Sequence, residues 1–102
     1  MVEPVGRFKP GRYIQFPNVT QWVHADLERA CYRRHLNQDF GIVPDSIRHA
    51  NHRAIMHDTG DVVSEFAISD GRRIRFTTTI GFKTVALIVG RDGQVETSWH
   101  LE

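Results

Sequence analysis

At 102 residues, with 40% hydrophobic and 25% charged side chains, the chain has the composition of one soluble globular domain and is too short for two cores. A formal net charge of +1 excludes the strong basic field expected of a dedicated nucleic-acid or acidic-membrane binder. Cys31 is the single cysteine, so no internal disulfide forms; no apolar run nears the ~18 residues of a membrane span, and no apolar signal core opens the chain. The expectation is a cytoplasmic protein without a membrane partner.

Residues 1–11 hold Pro4, Gly6, Pro10 and Gly11 and read as an irregular arm, made locally basic by Arg7 and Lys9. The domain proper is expected over 12–100. Arg12–Phe16 alternates around Tyr13, Ile14 and Phe16 and is stopped by Pro17, which predicts a short edge strand. Asn18 then opens one main helix, with Gln21 three residues on as in a capping box and Pro17 able to pack near Trp22. The helix should run to about Gln38 and stop by Gly41. Its apolar stripe is Val19, Trp22, Val23, Leu27, Ala30 and Cys31, with Tyr32 and Leu36 on the other side. Val43-Pro44-Asp45-Ser46 resembles a helix start, so a short helix to Asn51 or a structured loop follows.

From Arg53 to His100 the composition predicts a five-strand antiparallel meander, cut at Asp58-Thr59-Gly60, Ser69-Asp70-Gly71, Gly81-Phe82 and Arg91-Asp92-Gly93. A three-residue loop closed by Gly71 at positive φ pairs Phe66 with Ile74, Ser64 with Phe76 and Val62 with Thr78. That register keeps Glu65 off the apolar face, whereas a slip of one residue would bury it. The same loop at Gly93 pairs Val89 with Val95, and a turn at Gly60 pairs Met56 with Val62. At Gly81 a two-residue turn pairs Phe76 with Leu87 and Ile74 with Val89. The core is then expected to gather Trp22, Leu27, Phe66, Phe76, Leu87 and Trp99. The opposite face carries Arg53, Glu65, Arg75 and Ile88 in one row, with Val63 and Ala86 beside them. Leu101-Glu102 resembles a cloning scar.

Three constellations could carry chemistry. On the helix, Cys31 with His35, or His24 with Glu28, has the spacing to supply two zinc ligands or a cysteine–histidine pair. His24 and His35 stand ~16 Å apart along the axis, so one ion cannot take both. No second cysteine completes a set; the pattern reads as a polar helix flank, and no metal or cofactor is expected. His49, His52 and His57 match no zinc spacing and read as surface histidines. Arg72, Arg73 and Arg75, with Arg33 and Arg34, could form a phosphate patch, but acidic residues intervene.

The third constellation is Glu65 between Arg53 and Arg75 on neighbouring strands. As a ladder it is structural. As a catalytic set it would suit metal-independent RNA cleavage: Glu65 takes the proton of a 2′-hydroxyl, Arg53 and Arg75 hold the phosphate, and a histidine protonates the leaving oxygen. His57 and His100 lie ~13 Å away along the strands, which leaves His52, turned inward, as that acid. In order of elements alone, strand, helix, further helix and antiparallel strands, the chain resembles the RelE-like and barnase-like ribonucleases. The alternative expectation is thus a small metal-independent ribonuclease or RNA-binding domain, with RNA as its partner. The leading expectation is an α+β fold, one main helix on the meander with a short N-terminal strand. It would act as a non-catalytic interaction module, self-associating or binding a protein partner through the open sheet face.

Overall fold

The computed structural model describes residues 8–96. It is an α+β fold: β1 (Arg12–Gln15), α1 (Val19–Trp22), α2 (Ala25–Leu36), α3 (Asp45–His57), β2 (Asp61–Ala67), β3 (Arg73–Thr79), β4 (Lys83–Val89) and β5 (Val95–Glu96), with a 3₁₀ turn at Ser69–Gly71. The sheet is mixed, not the purely antiparallel meander expected. Its order is β1-β4-β3-β2, β1 runs parallel to β4, and β5 pairs with the far end of β4.

The expected single helix is broken in two. Val23 leaves helical geometry at φ −134° and ψ 125°. His24 restarts the chain as the N-cap of α2, its Nδ1 accepting from the Asp26 N–H at 3.2 Å. Asn18 makes no side-chain cap; its amide donates instead to the Glu96 carbonyl at 2.6 Å, tying α1 to β5. The break rotates α2, so its buried residues are Glu28, Cys31 and His35, while Leu27 stands 45% exposed. Leu27 is therefore not a core residue.

The expected strand Arg53–His57 is the second half of α3. Ile47, Asn51, Ala54 and Ile55 recur at helical spacing and form its packed side, whereas Met56 is 75% exposed. Asp58 ends the helix in the left-handed region at φ 58°, a conformation Asp tolerates better than most residues. The turn signal at Asp58-Thr59-Gly60 is thus a helix stop, and Met56 pairs with nothing in the sheet.

The β2–β3 register is the one expected: Phe66 opposite Ile74, Ser64 opposite Phe76, Val62 opposite Thr78. Gly71 and Gly93 have positive φ, and Val89 pairs with Val95. Asp70 is also left-handed, at φ 65°, so the Gly71 loop is not a type I turn. At the β3–β4 hairpin the loop is three residues, Ile80-Gly81-Phe82, with Gly81 at φ 77°. This sets Phe76 opposite Ala86, Ile74 opposite Ile88 and Thr78 opposite Thr84. Phe76 and Leu87 consequently face opposite sides, as do Val63 and Ala86, and Leu87 is not in the core. Sequence alternation could not resolve this, because β4 is apolar on both faces. The deciding residue is His35 of α2, which is fully buried and bonds to Ser64 and Thr78. The expected places of Trp99 and His100 lie outside the described residues.

Two adjoining groups fill the helix-covered side. One joins Val19, Val23 and Cys31 to Phe66, Ile74, Phe76, Ala86 and Ile88, with Trp22 partly buried against it. The other joins Phe8, Phe40, Val43 and Val62, with Leu36, Ile47, Ala54 and Ile55. Burial of each large side chain here contributes about 1.5–3 kcal/mol.

The outer edge of β2 is closed. Asn51 of α3 donates to the Val63 carbonyl at 2.8 Å and accepts from the Val63 N–H at 2.9 Å. The next pair of backbone groups is met by residues 40–42: Glu65 N–H donates to Phe40 and Ile42 N–H donates to Glu65. An open edge is a template for aggregation, and these contacts remove it.

Candidate functional site

On the sheet face opposite α1 and α2, alternation along β2, β3 and β4 presents Val63 and Glu65, Arg73, Arg75 and Thr77, then Val85 and Leu87. Ile14 of β1 lies beside Val85. Glu65 is 8% exposed and is held by two arginines. Arg75 donates to its Oε2 at 2.6 Å and Arg73 to its Oε1 at 3.0 Å. A cavity of about 460 Å³ adjoins them, lined by Val43, Pro44, Ile47, Val63, Glu65, Arg73 and Arg75.

Of the four residues expected to act together, the fold unites Glu65 and Arg75 only. Arg53 and His52 sit on the exposed side of α3, not in the sheet row, because the segment is helical. His52 packs its ring edge-on to Phe40, with centroids 5.5 Å apart. Arg73 is the member missed at this site; its signal was its two-residue spacing from Arg75, which puts both on one face, diagonal to and opposite Glu65. The expected basic patch is divided. Arg72 points to the other face, over the Trp22 ring and onto Glu96 and Asp70, while Arg34 pairs with Asp39.

The helix constellation also resolves differently. His35 spends both ring nitrogens inside the core: Nδ1 lies 2.6 Å from Ser64 Oγ and Nε2 2.8 Å from Thr78 Oγ1. Thr78 in turn meets Thr84 at 2.7 Å, and Thr84 donates to the Pro10 carbonyl at 2.8 Å. A carbonyl can only accept, so the proton directions follow along the chain. Thr84 donates to Pro10, Thr78 donates to Thr84, and the Nε2–H of His35 donates to Thr78. Nδ1 then accepts from Ser64. Burial pulls the His35 pKa down to about 4, and the imidazole is neutral. Burial also pushes the Cys31 thiol up, which suppresses the thiolate a nucleophile or zinc ligand needs. Among the described residues, no three His, Cys, Asp or Glu side chains gather as a metal site.

Compared with family models, curated proteins and solved structures, the chain matches none. A general base needs an oxygen directed at substrate and an acid across from it. Both Glu65 oxygens are occupied by guanidinium donors, and the nearby lining contains no histidine. The arrangement is an ion triad with one positive charge in excess, beside a partly apolar sheet surface.

Proposed function

We propose that the chain is a non-catalytic interaction module that pairs with a second copy of itself through the sheet face opposite α1 and α2. The observation that carries this reading is the apolar strip of Val85 and Leu87, with Ile14 beside it and Val63 on the far side of Thr77. Val85 and Leu87 belong to neither packed group of the helix-covered side. The occupant is argued from charge and edge together. The two arginines of this face are both engaged by Glu65, and a net charge of +1 over the whole chain sets up little long-range repulsion between copies. With the β2 edge closed, pairing through that edge is blocked, and face-to-face sheet packing is the association that buries the apolar strip.

Light scattering on the purified chain tests this reading, with Leu87→Asp and Val85→Lys as variants. The expected result is a dimer that becomes a folded monomer in each variant. A monomeric wild type through the high micromolar range would overturn it. The ribonuclease alternative is settled with single-stranded RNA in chelator. Cleavage lost in both Glu65→Gln and Arg75→Ala would replace the interaction module with an enzyme.

A further inference from the structure

On the other side of the sheet, Glu28 of α2 is 8% exposed and its partners are neutral. Tyr13 donates to Oε2 at 2.5 Å, and the Gln15 amide reaches Oε1 at 2.7 Å and Oε2 at 2.9 Å. Among the described residues no cation pairs with it; the neighbouring Arg29 guanidinium is drawn to Asp26 at 3.2 Å. A buried carboxylate without a counter-charge is costly, and the cost is lowered by a cation that arrives from outside.

Beside this carboxylate lies a cavity of about 220 Å³, lined by Tyr13, Ala25, Glu28, Arg29 and Tyr32. The two tyrosine rings adjoin at 4.8 Å between centroids, tilted by 53°. An aromatic surface next to a carboxylate attracts a cation by both its quadrupole and the full charge. The acceptor count narrows the ligand. A carboxylate offers about four acceptor positions, of which Tyr13 takes one and Gln15 two, so one remains, on Oε1. That suits a cation that gives one N–H to the carboxylate, sets apolar substituents against the rings and turns any second N–H to solvent.

We propose that this recess between α2 and β1 binds a methylated ammonium group that keeps one or two N–H donors, such as a dimethylammonium. The group contributes its N–H to Glu28 and its methyls to Tyr13 and Tyr32. Free dimethylammonium, with two N–H donors, and a dimethyl-lysine side chain, with one, both supply the single N–H that Glu28 can accept. The site is separate from the sheet face of the preceding section and does not depend on it.

The test follows the Tyr13, Tyr32 and Glu28 signals by NMR while the chain is titrated with dimethylammonium, tetramethylammonium and sodium chlorides. Saturable shifts at these residues are expected for dimethylammonium, with weaker binding of tetramethylammonium, which lacks the N–H, and none for sodium. Glu28→Gln should weaken binding by roughly tenfold or more, the loss of a charge-assisted hydrogen bond. Tyr32→Leu should weaken it too, while Tyr13→Phe, which keeps the ring, should retain most of it. A dimethyl-lysine peptide binding more tightly than the free amine assigns the source to a protein tail; equal binding assigns it to a small amine. Both uphold the site. Shifts that are absent, or equal for sodium and dimethylammonium, overturn it, and this comparison needs only the wild-type fold.

Discussion

Acidification should weaken this fold through one buried imidazole. His35 is 0% exposed, accepts from Ser64 and donates to Thr78, so a second proton would place a charge away from water and force the Ser64 hydroxyl to turn from donor to acceptor. Its pKa is about 4 in the folded chain against the ordinary 6.5. The folded-state value is the lower one, so the stability it concerns is complete above pH 6.5. It falls as the unfolded chain protonates and levels off below about pH 4. A gap of roughly 2.5 pH units at 1.36 kcal/mol each gives a loss of about 3 kcal/mol. That is a large share of the 5–15 kcal/mol typical of a domain. Urea unfolding from about pH 7.5 to about pH 4 measures it, with His35→Gln as the comparison. Gln keeps a donor near the Nε2 position but does not titrate. The variant should lose about 1–3 kcal/mol at neutral pH and lack the wild-type slope between 6.5 and 4. Equal slopes in the two proteins would refute the burial argument.

Three further outcomes follow from the packing. Asn51→Ala leaves the Val63 N–H and carbonyl without partners and should cost about 2–4 kcal/mol by urea denaturation, with faster aggregation as the β2 edge opens. Phe76→Ala should cost about 3–5 kcal/mol, while Leu87→Ala, on the other face, should cost clearly less when both are measured below the dimer concentration. Equal losses would restore the register that pairs Phe76 with Leu87. Gly41→Ala places a Cβ 2.0 Å from the Glu65 carbonyl at a φ of +72°, so it should disrupt the contact of residues 40–42 with β2 and lower the melting temperature markedly.

Local chemistry was enough for the parts of the fold whose alternatives would bury a charge. The β2–β3 register, and with it the Glu65–Arg75 pair, is legible because a one-residue slip would put Glu65 among Phe66 and Phe76. The short strand before Pro17, the left-handed glycines at 71 and 93, and the start of α3 at Pro44-Asp45 follow from turn and cap chemistry in the same way. Where both alternatives were apolar, only tertiary structure decided. β4 has a hydrophobic residue at nearly every position, and the face it turns inward is selected by the hydroxyls of Ser64, Thr78 and Thr84 around His35. Arg53–His57 became helix because Asn51, Ala54 and Ile55 pack along the edge of β2, a contact with no local signature. The parallel pairing of β1 with β4 and the approach of Tyr13 and Gln15 to Glu28 likewise join residues far apart in the chain. Local propensity is silent on such pairings, since their free energy arises only when distant segments exclude water together.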